Sequence, residues 1–249
     1  RNDPDMRPGD PYPFQGDSNP FKAQLDAWRT VKPGTDKNNP NQWSPTALAE
    51  FDRSFRLGTT TVETADKEGW VVSVTPSGGW LPATIAGKTG IGMSQRMQSF
   101  VLGPADNPFN VVAPRKRPRA TLTPSMALRD GKPFLSFAVQ GGDTQEQNLL
   151  QFFLNVVEFG MDVQKASEAA NVNSYQMHDS FGTHTTQPGR LVLRSDTPSW
   201  VRAELERMGY QSEAHERTPG PINAIFIDQR NGALMGGSSD FGEDYGIAW

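Results

Sequence analysis

The chain contains no cysteine, which excludes disulfides, thiolate nucleophiles and cysteine-ligated zinc. It has 3 histidines, and the spacing of His178, His184 and His215 matches no metal-binding motif. No apolar run approaches the roughly 18 residues that a membrane span needs. These absences exclude thiol chemistry and argue against a metal site and a membrane span.

Excess positive charge is also lacking. The chain has 24 basic and 28 acidic residues and a formal net charge of -4, so it has no general attraction for nucleic acids or anionic membranes. The stretch "PRKRPR" at residues 114–119 is a local exception. A nucleic-acid-binding module that uses this stretch is a weak alternative, which a failure to bind DNA or RNA at low salt would exclude.

Residues 1–58 differ in composition from the rest of the chain. Of the 20 prolines, 8 precede Thr46, and the residues around them are mostly polar. This pattern predicts an extended arm that crosses a surface, with two short helices over residues 21–31 and 44–55. We therefore divide the chain into this arm and a globular part over residues 59–249.

The globular part shows three hairpin signals, around "DKEG" at residues 66–69 and around the Asp130-Gly131 and Asn231-Gly232 turns. A helix is predicted over residues 143–160, with Asp143 as its cap, and a shorter one over residues 162–170, capped by Asp162. A strand is expected at residues 189–194 and a helix from Pro198 to just before Gly209. Hairpins with helices between them, and no βαβ alternation, predict a mainly antiparallel α+β fold.

Four stretches occur in an order that we recognise: "TTTVETADKEGWVVSVT", "GIGMSQRMQSF", "APRKRPRATLTPSMALRDGKPFLSFAVQGGDTQEQNLLQ" and "NAIFIDQRNGALMGGSSD". Residues 59–249 resemble the small subunit of the γ-glutamyltranspeptidase family of N-terminal-nucleophile hydrolases. The resemblance implies a four-layer αββα sandwich and no cofactor. It also implies that residues 1–58 correspond to the tail of the large subunit or to a linker.

The resemblance assigns the nucleophile to Thr59. In the family, the precursor cuts itself before the first threonine of the pattern "TT-x5-D-[KR]-x-G". Residues 59–69 fit this pattern, with Asp66, Lys67 and Gly69 at its fixed positions. A free threonine α-amine, with a pKa of about 7.7–8.0, is well matched to take the proton of the hydroxyl near neutral pH. Cleavage between Gly58 and Thr59 would therefore create the catalyst.

Three further catalytic residues follow from the resemblance. Ser77, in "VSVTPSGG", lies where the family's "VTYT" has a hydroxyl that supports the nucleophile, although a simple turn serine is an equal alternative. Gly141 and Gly142, in "VQGGD", correspond to the family's "SPGGS", whose glycines let backbone N–H groups bind the reacting carbonyl oxygen. A plain strand-to-helix turn is the alternative for this pair.

Substrate contacts are expected from Thr121, Gln98, Ser99 and Asp143. The family's "RPLSSMSPT" becomes "RPRATLTPS" here, so Thr121 keeps one hydroxyl of a serine pair and Ala120 loses the other. The family's "NNQMDDF" contains an acidic residue that binds the substrate α-ammonium. It becomes "SQRMQSF" here, with neutral Gln98 and Ser99 in place of the two aspartates. That charge-assisted contact is worth roughly 1.5–3 kcal/mol. We expect an acyl group without this ammonium.

The sequence therefore predicts a self-processing threonine amidohydrolase or acyltransferase that works through an acyl-Thr intermediate. The implied partners are a large subunit from the same precursor and a small amide or peptide-like substrate. Neither a nucleic acid nor a membrane is expected as a partner. The resemblance also allows two such heterodimers to form a dimer. The resemblance favours a periplasmic or secreted protein, while a cytoplasmic one stays open. The alternative function is that of a catalytically inactive relative that serves binding or assembly.

Overall fold

The structure is a computed structural model that describes residues 9–30, 58–78, 84–104, 106–182, 184, 187, 189–218, 220–240 and 244–249. The helix predicted over residues 44–55 lies outside these ranges. The α-helices are α1 (Lys22–Thr30), α2 (Gln145–Val157), α3 (Val163–Glu168) and α4 (Ser199–Arg207). Short 3-10 helices cover Tyr12–Gln15, Arg96–Ser99 and Gly142–Thr144.

The strands include the three predicted hairpins, over residues 62–74, 125–139 and 222–238. They are β1 (Val62–Ala65), β2 (Val71–Val74), β3 (Thr84–Ile85), β4 (Gly92–Met93), β5 (Ser125–Arg129), β6 (Lys132–Val139), β7 (Val172–Ser174), β8 (Arg190–Arg194), β9 (Gln211–His215), β10 (Ile222–Asp228) and β11 (Ala233–Ser238). The main sheet has the order β11-β10-β6-β5, and each neighbouring pair is antiparallel. Asp130 and Gly131 have φ values of 53° and 75°, as a two-residue hairpin turn requires.

Helices α2 and α3 cover one face of the main sheet. The alternating residues Leu135, Phe137 and Val139 of β6 are buried against them, and the ring of Phe137 lies 5.5 Å from that of Phe152 on α2. The predicted apolar face of the α2 segment is thus the face that packs on the sheet.

The β1–β2 hairpin lies on the opposite face of the main sheet. Glu63 of β1 accepts a hydrogen bond from Ser136 of β6. Two residues earlier, Thr61 accepts a 2.9 Å hydrogen bond from Asn223 of β10, which pairs with Ala138. Residues nearer the start of β1 therefore lie over residues nearer the end of β6. The residues just before Thr61 therefore lie above the end of β6.

The expectation of no βαβ alternation is wrong for one part of the chain. Strands β8 and β9 are parallel and are joined through α4, while β7 pairs with β8 in antiparallel fashion. The sequence "QSEAH" of β9 carries little hydrophobic signal, because this strand lies at the edge of its small sheet. The other strand pairs are antiparallel, in keeping with an α+β fold.

The start of α2 also differs from the prediction. A 3-10 turn precedes the helix, and its N-cap is Thr144 rather than Asp143, whose carboxylate is held by Arg119 and Ser180 instead. At α3 the cap prediction is confirmed, because Asp162 accepts a 2.9 Å hydrogen bond from the backbone N–H of Lys165. Within the described ranges, no helix has the length and apolar character that crossing a bilayer requires.

Candidate active site

Thr59 and Ser77 form a hydrogen-bonded pair at the start of the β1–β2 hairpin. The Thr59 hydroxyl donates to Ser77 Oγ at 3.0 Å, and the Ser77 hydroxyl donates to the backbone carbonyl oxygen of Gly58 at 2.8 Å. One serine oxygen therefore connects the candidate nucleophile with the carbonyl group of the peptide bond that precedes it.

The hairpin register produces this pairing. Val62 lies opposite Val74, and continuing this register backwards places Thr59 opposite Ser77, where a single antiparallel bridge forms. The backbone N–H of Thr60 donates to the carbonyl oxygen of Pro76 at 3.2 Å, which extends the ladder beyond the strands proper. The threonines that open the hairpin thus set the position of the hydroxyl pair.

Arg96 joins this pair to Thr121. Its Nη2 donates to Ser77 Oγ at 3.1 Å and its Nη1 donates to Thr121 Oγ1 at 3.2 Å. The guanidinium carbon lies 5.4 Å from the centre of the Phe181 ring. Burial lowers the pKa of Arg96 from its usual value, and the negative charge of Asp143 partly opposes this shift.

Arg96 is not among the site residues that the sequence predicts. A signal was nevertheless present, because Arg96 in "SQRMQSF" stands where the family's "NNQMDDF" has glutamine. Its importance becomes clear only from the fold, since Ser77 and Thr121 lie 19 and 25 residues away from it along the chain.

Ser99 and Gln98 follow Arg96 in the same 3-10 helix. Ser99 is fully buried, and its hydroxyl has no hydrogen-bond partner among the described residues. Its backbone carbonyl accepts a 2.5 Å hydrogen bond from Asn110. Gln98 is half-buried. Gln98 and Ser99, which stand in place of the family's two aspartates, therefore carry no charge, and Ser99 is enclosed by protein.

Gly141 and Gly142 lie at the end of β6 and are buried. Their φ values of 143° and 54° belong to the left-handed half of conformational space, which suits glycine. Because β1 runs back towards the end of β6, Thr59 and these glycines lie at the same end of the two packed layers. A side chain at either glycine would strain a backbone turn next to the start of α2.

Asp143 lies in a second cluster, beside the glycines. Its carboxylate pairs with Arg119 at 3.0 Å and accepts hydrogen bonds from the backbone N–H and the hydroxyl of Ser180 at 2.7 Å and 2.6 Å. Burial, followed by the charge of Asp143, raises the pKa of Asp179 to about 7. Asp143 is thus bound by protein groups, and we find no contact between it and Thr59.

The basic stretch at residues 114–119 divides into two parts. Arg119 is partly buried between Asp143 and the backbone carbonyl oxygen of His178, which accepts from it at 3.1 Å. Arg115, Lys116 and Arg117 are exposed. Across the described part of the chain, no group of three or more His, Asp or Glu side chains is arranged to hold a metal ion.

Comparisons with known proteins all identify the same family. A sequence model of the γ-glutamyltranspeptidase family matches residues 23–249. The glutathione hydrolase proenzyme of Bacillus subtilis subsp. natto is 29% identical over 188 residues, which cover 73% of this chain and 30% of that protein. The acylase ACY 1 proenzyme of Pseudomonas sp. strain SE83 is 28% identical over 178 residues, with coverage of 72% and 30%.

The fold agrees with these relatives. The solved structure of an acivicin-inhibited γ-glutamyltranspeptidase matches with a TM-score of 0.63 and 25% sequence identity, over 75% of this chain and 100% of that one. The predicted α+β fold of N-terminal-nucleophile hydrolase type is therefore confirmed. The chain spans about 30% of the length of the curated relatives named above. It belongs to the γ-glutamyltranspeptidase family.

Proposed function

We propose that this chain is the nucleophile-bearing part of a self-processing threonine amidohydrolase or acyltransferase. The observation that carries this proposal is the pair of hydrogen bonds at Ser77, which accepts from the Thr59 hydroxyl and donates to the Gly58 carbonyl oxygen. The same side chain can orient the nucleophile by accepting its hydrogen bond, and it can polarise the carbonyl group that the nucleophile would attack.

We expect self-cleavage to use this arrangement. Thr59 Oγ bonds to the carbonyl carbon of Gly58, the developing oxyanion receives the hydrogen bond from Ser77, and the C–N bond then breaks. The hydroxyl proton ends on the Thr59 nitrogen, leaving an ester between Gly58 and the threonine oxygen. Water hydrolyses this ester, which gives a Gly58 carboxylate and a free α-amine on Thr59.

Turnover would use the new α-amine as the base. It takes the hydroxyl proton while Thr59 Oγ adds to the carbonyl carbon of a substrate amide, and the departing amine leaves with that proton. The acyl group stays on Thr59 until water or an acceptor amine removes it. Backbone N–H groups at Gly141 and Gly142, near the start of α2, are suited to bind the tetrahedral oxyanion.

The substrate and the partner belong to the same proposal. Neutral Gln98 and buried Ser99 favour an amide whose acyl group lacks an α-ammonium, with Thr121 as a further contact. Asp143, bound to Arg119, would shape the pocket wall rather than touch the reacting atoms. A large subunit from the same precursor would complete the pocket, and residues 1–58 would form its tail or a linker.

An acyl-enzyme experiment tests catalysis. The whole precursor, which would include the large subunit, is purified, incubated with a p-nitroanilide and quenched within one turnover, and peptide mass spectrometry locates the added mass. We expect an acyl group on Thr59 and a burst of p-nitroaniline. Repeated failure to find either with a panel of amides, in protein that has cleaved before Thr59, would contradict the proposal.

A non-catalytic relative is the second candidate. Ala120 lacks a hydroxyl that family members have, and Gln98-Ser99 lacks their acidic charge, which are losses that a pseudoenzyme tolerates. This candidate predicts that the peptide bond before Thr59 stays intact in the mature protein. The hydrogen bonds among Thr59, Ser77 and Gly58 favour the enzyme instead.

A further inference from the structure

We propose that Arg96 is a positioning residue for self-cleavage, which acts through Ser77 to stabilise the negative charge that forms on the Gly58 carbonyl oxygen. This inference rests on the proposed cleavage before Thr59. It goes further by assigning to that step a cation that the family's "NNQMDDF", with a neutral glutamine at this position, does not supply.

The hydrogen bonds around Ser77 Oγ have fixed directions. A backbone carbonyl only accepts hydrogen bonds, so the single proton of the Ser77 hydroxyl lies in the 2.8 Å contact with the Gly58 oxygen. A guanidinium only donates, and Arg96 Nη2 lies 3.1 Å from Ser77 Oγ. The Thr59 hydroxyl, at 3.0 Å, is then left to donate to the same oxygen. The Thr59 proton is thus directed to Ser77, which leaves the lone pairs of the nucleophile available for attack.

Arg96 strengthens the hydrogen bond that matters for cleavage. A hydroxyl that accepts a hydrogen bond from a cation becomes a better donor, because hydrogen bonds in a chain polarise one another. A single hydroxyl, that of Ser77, separates the guanidinium from the Gly58 oxygen. When Thr59 Oγ bonds to the carbonyl carbon, negative charge develops on that oxygen, and a nearby fixed positive charge lowers the energy of this state.

Two further contacts hold the guanidinium in place. Its Nη1 donates at 3.2 Å to Oγ1 of Thr121, a buried residue, and its carbon lies 5.4 Å from the centre of the Phe181 ring. Among the described residues, no carboxylate forms an ion pair with Arg96; the negative charge of Asp143 acts on it only through space. The positive charge is therefore oriented towards Ser77 before the reaction begins, as preorganised stabilisation requires.

The rate of self-cleavage tests this role in the whole precursor, which would include the large subunit. The precursor is made by cell-free synthesis, and intact-mass spectrometry follows the joined and the cleaved chains. Arg96→Gln and Arg96→Met should both slow cleavage about 10- to 100-fold, as the strength of a charge-assisted hydrogen bond implies. Arg96→Lys keeps the charge and should cleave several-fold faster than either. Arg117→Gln, at an exposed arginine, should cleave like the wild type.

A double-mutant cycle shows whether Arg96 acts through Ser77. In a Ser77→Ala precursor the hydroxyl that transmits the charge is gone, so adding Arg96→Gln should change the remaining rate by about 2-fold or less. A purely structural effect of Arg96 would slow both proteins by the same factor. Equal factors in the two backgrounds would overturn the inference, and so would a normal rate for Arg96→Gln when Ser77 is present.

Folding is checked in a Thr59→Ala background, which has no nucleophile. The thermal midpoint of this precursor with and without Arg96→Gln shows whether both proteins are folded at the assay temperature. If Arg96→Gln does not fold, Thr121→Val replaces it, because this change removes only the second acceptor of the guanidinium. Thr121→Val should slow cleavage several-fold when Ser77 is present and not in Ser77→Ala; an unchanged rate would overturn the inference.

Failure of this inference differs from failure of the proposed function. A wild-type precursor that stays joined would overturn both. A wild-type precursor that cleaves before Thr59, beside Arg96→Gln or Arg96→Met precursors that cleave equally fast, would overturn the role of Arg96 alone.

Discussion

The hydroxyl of Ser77 donates a 2.8 Å hydrogen bond to the carbonyl oxygen of Gly58, which lies on the opposite side of the β1–β2 hairpin. The carbonyl group thus engaged belongs to the peptide bond that self-cleavage would break. A residue that the family pattern associates with support of the nucleophile is therefore also placed to act on the precursor.

Replacing Ser77 should slow self-cleavage. Ser77→Ala removes a hydrogen-bond donor to the developing oxyanion, and the loss of one such donor typically costs about 100-fold or more in rate. The fraction of cleaved chain, followed by intact-mass spectrometry after synthesis, measures this rate. Ser77→Thr keeps a hydroxyl and should retain most of the rate of self-cleavage. Equal half-times for the alanine variant and the wild type would contradict the role of Ser77.

Gly141→Ala should reduce turnover more than its effect on stability explains. A φ of 143° is essentially restricted to glycine, so the new side chain should cost about 1–3 kcal/mol or move the backbone N–H away from the oxyanion. We expect kcat to fall about 10- to 100-fold with a smaller change in KM.

A matched control exists at Gly209, where φ is 89° and an added Cβ would meet no atom within 4 Å. This glycine follows α4. Gly209→Ala should lower the thermal midpoint while leaving kcat unchanged. If both variants lose kcat to the same extent, backbone strain rather than oxyanion binding is the cause.

Stability should depend on pH through Glu63. Burial raises the pKa of this carboxyl group to about 7, and the hydrogen bonds from Ser136 and Ser73 only partly oppose that shift. The unfolded chain loses the proton near 4.5 while the folded protein keeps it until about 7. The free energy of unfolding should therefore fall as pH rises through this interval.

Glu63→Gln should remove this component. Thermal midpoints at pH 5 and pH 8 should differ less in the variant than in the wild type, whereas Glu68→Gln, at an exposed position in the same hairpin, should behave like the wild type. Identical pH dependence in all three proteins would show that Glu63 does not keep its proton in the folded state.

Local sequence signals predicted much of this fold. The Asp130-Gly131 and Asn231-Gly232 turns predicted two hairpins of the main sheet, and Asp130, Gly131 and Gly232 adopt the positive φ that such turns need. Features that depend on distant residues were missed. Asp143 was predicted to cap a helix, but its carboxylate binds Arg119, which lies 24 residues earlier in the chain. The polar edge strand β9 has no alternation of apolar and polar residues that would predict a strand.

The candidate site shows the same division. The motif order pointed to Thr59 and Ser77, and the hairpin register brings these two residues together. Arg96 did not attract attention, because an arginine in a polar stretch usually lies in solvent. Its contacts with Ser77 and Thr121 arise only when three separate segments of the chain meet.

The most direct test of the account is the state of the bond between Gly58 and Thr59. Intact mass and N-terminal sequencing of the purified full chain, wild type beside Thr59→Ala, decide it. The account predicts a wild-type fragment that begins at Thr59 and a variant that stays joined. A wild-type chain that also stays joined would contradict the assignment of Thr59 as a self-generated nucleophile and would favour the non-catalytic relative.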